Sequence, residues 1–338
     1  MSVRIGVVGY GYWGPNIVRN FAEANGAKLV AVSDLREDKR ALVTRRYPGV
    51  RAVADAAELI NATDIDAVAI ATPVGSHYEL ALAALQAGKH VMVEKPMTAS
   101  AEQARHLIEV ADKRGLTLMV DHTFCYTGAV RKMKELVEQG DLGDLYYYDS
   151  LRVNLGLFQH DVNVIWDLAV HDLSILEFIV PHRPQAVSAV GMSHVPGSPE
   201  NIAYITVFYD TPFVAHINVN WLAPVKVRQT LLGGSRKMVV YDDLEPSEKI
   251  KVYDKGITTT PSSEQIYQML VGYRSGDMWA PQLSGAEALG LEIRHFIECI
   301  ESKGKPVTDG MMGLGVVEIL EAASQSMALR GQPVALAG

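Results

Sequence analysis

The sequence predicts an α/β protein: an N-terminal Rossmann domain with a parallel sheet, followed by an α/β domain built on a large, mostly antiparallel open sheet. Three observations carry this expectation. From Val3 to about Val120, short apolar runs alternate with longer segments of helical period, the pattern of βαβ units. The glycine-rich turn Gly9-Tyr10-Gly11-Tyr12-Trp13-Gly14 lies between the first run and the first helical segment. Beyond Gly140-Asp141-Leu142-Gly143-Asp144, strand-like stretches dominate.

The predicted parallel strands are Arg4–Val8, Lys28–Ser33, Ala67–Ala71, His90–Val93 and Leu116–Val120. Between them, Pro15–Asn25 carries Ile17, Val18, Phe21 and Ala22 on one face, and His77–Ala87 carries Leu80, Ala81 and Leu85. Ser100–Arg114 starts on an N-capping serine and ends before Gly115. A further helix is expected around Gly128–Gln139. The second domain then reads as strands at Leu145–Val153, Ala186–Met192, Ile202–Tyr209, Phe213–Trp221, Arg228–Leu232 and Lys237–Tyr241, with one helix near Ile165–Val180. Asp210-Thr211-Pro212 reads as a hairpin turn. Tyr253–Ser284 is the least periodic stretch and reads as a loop over a pocket. Two helices fill Ala286–Leu329, separated by Gly304-Lys305-Pro306. The domains are placed at residues 1–122 and 123–338, with the last helices as candidates to pack back on the first domain. An open sheet with one polar face needs cover, so part of it is expected to form a subunit interface, which the family resemblance given below implies to be that of a homodimer or homotetramer.

Composition narrows the function classes. A chain of 338 residues, 48% hydrophobic and 21% charged, is long enough for two ordinary globular domains. A net charge of -8 argues against nucleic acid, whose affinity rests on Lys and Arg neutralising phosphates. The first apolar run is too short for a signal-peptide core or a membrane span, so a cytoplasmic location without membrane attachment is expected. The two cysteines, Cys125 and Cys299, lack any zinc-ligand spacing. Cys125 reads first as a buried free thiol and second as a reactive one.

In the GxGxxG turn, Gly9 allows the tight bend, Gly11 lets backbone approach a pyrophosphate, and Gly14 permits close strand–helix packing. Tyr12 and Trp13 belong to the same binding turn, and Trp13 either packs against cofactor or fills the domain junction. Asp34, 20 residues after Gly14 at the end of the second strand, suits a ribose diol and repels a 2′-phosphate. It favours NAD over NADP, a preference that Arg36 softens, and its neighbour Leu35 is a further cofactor-binding candidate. Thr72 and Pro73 follow the strand Ala67–Ala71 and so fall where dinucleotides bind in open α/β sheets. His77 has two readings, a capping or supporting residue and a cofactor contact.

Glu94-Lys95-Pro96 ends the strand His90–Val93. A lysine there can reach both nicotinamide and a substrate oxygen, acting as an acid/base or stabilising an alkoxide; alone, the tripeptide is a surface turn. Asp167 and His171 are four residues apart in a predicted helix, the spacing of a carboxylate that orients an imidazole base and equally of an ordinary helix pair. Asp172 points elsewhere and reads as support for the fold. No third ligand has a recognisable spacing, so no metal is expected.

Taken in order, the glycine turn, Asp34, Glu94-Lys95-Pro96, and Asp167 with His171 resemble the glucose-fructose oxidoreductase / inositol dehydrogenase (Gfo/Idh/MocA) family. The likeness extends to Ala71-Thr72-Pro73…His77, Ala87-Gly88-Lys89-His90-Val91 and Gly140–Gly143. It implies NAD as cofactor, with Glu94 close to it and Lys95 near nicotinamide and substrate. It further implies His171 as acid/base, Asp167 as its orienter, and a substrate border including Arg152, Asn154, Phe158, Gln159, His160, Asp161 and Asn163. Gly-Tyr-Trp-Gly-Pro-Asn resembles members that act on nucleotide-linked sugars, such as UDP-N-acetylglucosamine 3-dehydrogenases. An inositol or free-monosaccharide dehydrogenase is the alternative, and a non-catalytic dinucleotide sensor is an alternative of another class. A diphosphate would need cations, for which Arg152, Arg228, Arg236 and Arg274 are candidates.

Overall fold

The computed structural model describes residues 2–156, 162–258 and 272–336. The chain forms two compact units, the first made of residues 1–127 and 286–321, the second of 128–285 and 322–338.

The first unit holds six parallel strands: β1 (Val3–Val8), β2 (Ala27–Ser33), β3 (Arg51–Val53), β4 (Ala67–Ile70), β5 (His90–Glu94) and β6 (Leu118–Asp121). Their order, β3-β2-β1-β4-β5-β6, is that of a doubly wound dinucleotide fold. Every residue of the central strand β4 is buried, as expected for a strand covered on both faces, and so is every residue of the edge strand β6. The helices are α1 (Gly14–Glu23), α2 (Glu37–Arg46), α3 (Ala56–Ile60), α4 (His77–Gln86) and α5 (Ala101–Arg114). Capping explains the bounds of α5. Ser100 accepts from Gln103 N, Gly115 adopts the left-handed conformation at φ 63, and Lys113 and Arg114 lie in the last turn.

The second unit begins with α6 (Gly128–Glu138) and contains a nine-stranded sheet. Its principal strands are β7 (Leu145–Leu155), β8 (Pro184–Met192), β9 (Ile202–Tyr209), β10 (Val214–Asn220), β11 (Leu222–Gly234), β12 (Met238–Asp242) and β13 (Ile250–Tyr253). The pairings are antiparallel except that of β10 with β7. A π-helical turn over Ile165–Ala169 runs into α7 (Val170–Ile179). Inward residues of β8, β9 and β10, including Val187, Ile205, Val207, Ile217 and Val219, are buried, whereas Val190, Met192, Tyr204 and Phe208 remain exposed. Part of Tyr253–Ser284, read as a loop, forms the short pair β14 (Gly256–Thr258) and β15 (Gly272–Arg274), and the strand β16 (Met278–Trp279) on β13.

The chain ends with α8 (Ala288–Ser302), in the first unit, α9 (Gly310–Ala328), divided between the units, and β17 (Val334–Ala335), which pairs with β8. Phe296 of α8 packs edge-on against Phe21 of α1, and the guanidinium of Arg19 pairs with Glu287 just ahead of α8. No helix among the described residues is long and apolar enough to cross a membrane.

Candidate active site

The first unit carries the dinucleotide half. Strand order reverses between β1 and β4, and there the glycine turn bends sharply. Gly9 has φ +98, and a Cβ on it would lie 2.4 Å from Ala71 O. A Cβ on Gly14 would lie 2.2 Å from Gly9 O, so both glycines are demanded by the protein's own packing. Gly11 differs. A Cβ there meets nothing within 4 Å, so its missing side chain leaves open space where a pyrophosphate can approach. No side chain caps the N-terminus of α1, which leaves its first donors and its dipole to an anion. These features fit a bound dinucleotide.

Asp34 stands at the end of β2. Its Oδ2 accepts from Tyr10 N at 2.7 Å and its Oδ1 from Arg36 N at 2.9 Å, which fixes the carboxylate while leaving lone pairs for a ribose diol. Arg36 itself pairs with Asp38, and Arg40 donates to the carbonyls of Asp34 and Leu35. Tyr12 in the glycine turn and Leu35 next to Asp34 are 91% and 88% exposed. Thr72 is half-buried and accepts from Ser76 Oγ at 2.7 Å, while Pro73 is exposed.

His77 lies between the loops that follow β4 and β5. It is fully buried, with Nδ1 2.8 Å from Pro96 O and Nε2 2.7 Å from Thr72 O. It ties the loop after β4 to the loop after β5, and burial lowers its pKa.

Glu94 and Lys95 are half-buried at the carboxyl end of β5, where the Lys95–Pro96 peptide is cis. In register with Glu94 is Asp121, the last residue of β6. Asp121 accepts from Trp13 Nε1 at 2.8 Å and from Thr123 Oγ1 at 2.5 Å. The half-buried Trp13 indole is thereby directed to the carboxyl end of the sheet. Next in sequence, His122 is completely buried; burial, aided by the charge of Lys95, pushes its pKa down to about 3.

The second unit carries Asp167 and His171. The π-helical turn holds Asp167, whose Oδ2 accepts from Trp221 Nε1 at 3.1 Å. Trp221 is fully buried at the end of β10, and a Cβ on Gly156 would lie 2.5 Å from its indole. His171 is half-buried in the first turn of α7, and its carbonyl accepts from Ser174 Oγ at 2.8 Å. Asn163 Oδ1 accepts from the amides of Ile165 and Trp166, capping the π turn.

Arg152 lies deep in the second unit. It is 3% exposed, its Nε and Nη2 reach Asp172 at 2.6 and 3.1 Å, and Ser150 Oγ donates to the same carboxylate at 2.6 Å. This pair joins β7 to α7 one residue beyond His171. Asn154 is half-buried on the Arg152 face of β7, while Phe158, Gln159, His160 and Asp161 lie outside the described residues. Of the arginines offered for a diphosphate, Arg228 pairs with Asp243, Arg236 contacts Gly140 O, and Arg274 pairs with Asp254. Asp121, which holds Trp13, and Trp221, which holds Asp167, have no sequence signal of their own.

Against known proteins, residues 3–122 match a family model described as "Oxidoreductase family, NAD-binding Rossmann fold". The GFO/IDH/MocA C-terminal domain matches residues 130–240. The chain belongs to the GFO/IDH/MocA oxidoreductase family. It is an NAD-dependent oxidoreductase, in agreement with the carboxylate at Asp34.

UDP-N-acetylglucosamine 3-dehydrogenase from Acidithiobacillus ferrooxidans is 28% identical over 326 residues, covering 94% of this chain and 95% of that protein. Its solved structure aligns with a TM-score of 0.80 at 26% identity, over 97% of each chain. Inositol 2-dehydrogenase 3 from Saccharopolyspora erythraea is 33% identical, covering 53% of this chain and 54% of that enzyme. For several other curated relatives, too, the match spans about half their length. An oxidoreductase from Agrobacterium radiobacter, solved with NAD+, L-tartaric acid and magnesium, shares the fold at TM-score 0.80 and 20% identity.

Proposed function

We propose that the protein is a cytoplasmic dehydrogenase that oxidises a secondary alcohol of a nucleotide-linked sugar to the ketone. The observation that carries the substrate class is the span of the match to UDP-N-acetylglucosamine 3-dehydrogenase, 94% of the chain, which includes the unit bearing Asp167 and His171. An inositol or free monosaccharide is the second reading, favoured by the higher identity, 33%, to inositol 2-dehydrogenase 3 over a shorter span.

NAD, when bound, supplies the acceptor for the hydride that leaves the carbinol carbon. The chain's residues manage the proton and the charge. His171 takes the hydroxyl proton as the C–H bond breaks and the C=O bond forms. Asp167, anchored by Trp221, orients the imidazole and stabilises its protonated form. Lys95 stabilises the developing alkoxide through a charge-assisted hydrogen bond. Asn154 borders the sugar, and Thr72, Pro73 and Glu94 line the path of the dinucleotide. The exposed Val190, Met192, Tyr204 and Phe208 on adjacent strands form an apolar patch that we assign to contact with a second copy of the chain.

The test separates chemistry from binding. His171→Ala should lower turnover by about two to four orders of magnitude with NADH affinity unchanged. Lys95→Ala should bind NADH and lose activity. Loss of NADH binding in the first variant, or full activity in the second, contradicts the assigned roles. A wild-type protein that binds NADH and turns over no sugar or cyclitol supports the sensor instead.

A further inference from the structure

Two residues beyond Asp34 stands an arginine whose guanidinium is turned to another partner. Arg36 occupies the N-cap position of α2, and its backbone amide, not its side chain, donates to Asp34 Oδ1 at 2.9 Å. The guanidinium meets Asp38 in the first turn of α2, with Nε 3.0 Å from Oδ1 and Nη2 2.7 Å from Oδ2. In this fork-to-fork geometry one carboxylate occupies two parallel donors of the arginine. Phosphate is recognised through the same planar fork, so Arg36 cannot offer that edge to Asp38 and to a phosphate at once. The backbone around the pair is fixed as well. Asp34 N donates to Val53 O at 3.1 Å, and Arg40 Nη1 donates to the carbonyls of Asp34 and Leu35 at 2.9 and 2.8 Å.

An adenosine ribose whose diol meets the Asp34 carboxylate places its 2′-oxygen there, and a phosphate on that oxygen needs a cation close by. We propose that Asp38 is a specificity-determining residue: by clamping the Arg36 guanidinium it withholds from a 2′-phosphate the cation that would receive it, and so adds to the exclusion of NADP that Asp34 begins. This deepens the cofactor site and rests on the placement of the adenosine ribose at Asp34. The side chains of Arg36 and Asp38 are 67% and 59% exposed, so the clamp works in water. An exposed pair shifts an equilibrium by no more than about fivefold, and loss of the like charge of Asp38 adds to that, which sets the effect on NADPH at about three- to tenfold.

Dissociation constants for NADH and NADPH are measured by fluorescence titration of the full-length protein, with thermal melts as a check on folding. The variants are made in the wild type and in an Asp34→Ala parent, in which the charge that repels a 2′-phosphate is gone and the NADPH constant can be read. In that parent, Asp38→Ala should tighten NADPH about three- to tenfold and change NADH by less than about twofold. Adding Arg36→Ala should erase the gain, whereas Arg36→Ala alone should leave NADPH within about twofold of the parent. Asp38→Glu keeps a carboxylate within reach of the guanidinium and should discriminate as the parent does. The gain should shrink as salt rises from about 0.05 to about 0.5 M, because the groups are exposed. If Asp38→Ala does not fold, Asp38→Asn gives the same reading. No gain for NADPH, an equal gain for NADH, a gain that survives the loss of Arg36, or an Asp38→Glu variant that behaves like Asp38→Ala overturns the proposal. So does a wild type that binds NADPH as tightly as NADH. An Asp34→Ala parent with unchanged discrimination overturns instead the ribose placement on which the proposal rests, and the proposal with it.

Discussion

Replacing Asp172 by alanine should unfold the second unit more readily and impair activity only as a consequence. The Arg152–Asp172 pair is almost wholly removed from solvent, with side-chain exposures of 4% and 2%. Ser150 donates to the same carboxylate at 2.6 Å. Removing the carboxylate leaves a guanidinium buried without its counter-charge, a defect that costs about 3–5 kcal/mol. An apolar replacement of both partners, Arg152→Met with Asp172→Leu, removes the charge together with its partner and should recover most of that loss. Urea unfolding at pH 7.5 with tryptophan fluorescence measures the stabilities, and NADH formation measures activity. Because Asp172 adjoins His171 on α7, the single variant should also lose turnover, and the double variant should regain part of it. Two results refute the reasoning. A loss under about 1 kcal/mol for Asp172→Ala would mean that water reaches the guanidinium. Full stability with a selective rise in KM for Arg152→Met would return Arg152 to the role of substrate ligand.

Three further outcomes follow from the cofactor unit. His122 stays neutral down to about pH 3 in the folded protein, whereas an unfolded histidine takes its proton near 6.5. Stability is therefore complete above pH 6.5 and is lost as pH falls, by about 2–3 kcal/mol at pH 4.5, and His122→Gln should lack that share of the loss in urea titrations at both pH values. An identical pH slope in the variant contradicts the burial argument. Gly14→Ala drives a Cβ to 2.2 Å from Gly9 O and should weaken NADH about tenfold or more; unchanged affinity in a folded variant would mean that the turn relaxes freely. Asp34→Ala removes the charge that repels a 2′-phosphate, so the kcat/KM preference for NAD over NADP should fall by about ten- to a hundredfold, and an unchanged ratio would dismiss Asp34 as its source.

The parallel sheet was legible because its strands are apolar runs closed by diagnostic turns: Gly9–Gly14 after β1, Asp34 after β2, Glu94-Lys95-Pro96 after β5. Between Asp34 and Ala67 the signal disappears. The helix α2 buries only Val43, so no apolar stripe marks it, and β3 has three residues. Spacing brought Asp167 and His171 into view, yet it presumed 3.6 residues per turn, and a π-helical turn carries Asp167 instead. The partners that decide what each side chain does are remote. Arg152 meets Asp172 across 20 positions, Asp167 meets Trp221 across 54, and Trp13 meets Asp121 across 108. No local pattern encodes such pairs. His77 shows the same limit, since its place in a cofactor-like motif does not show that its ring is enclosed between two carbonyls.

The most direct test of the account is NADH formation at 340 nm with NAD and a panel of UDP-sugars, free hexoses and inositols. Because cofactor retained through purification would mask turnover, a keto-acid acceptor is supplied in parallel. Oxidation of a UDP-linked sugar, lost in His171→Ala, is the expected result. Activity confined to inositols or free sugars would contradict the nucleotide-sugar assignment while sparing the catalytic residues, and absence of turnover on the whole panel by a protein that binds NADH would contradict the enzyme reading.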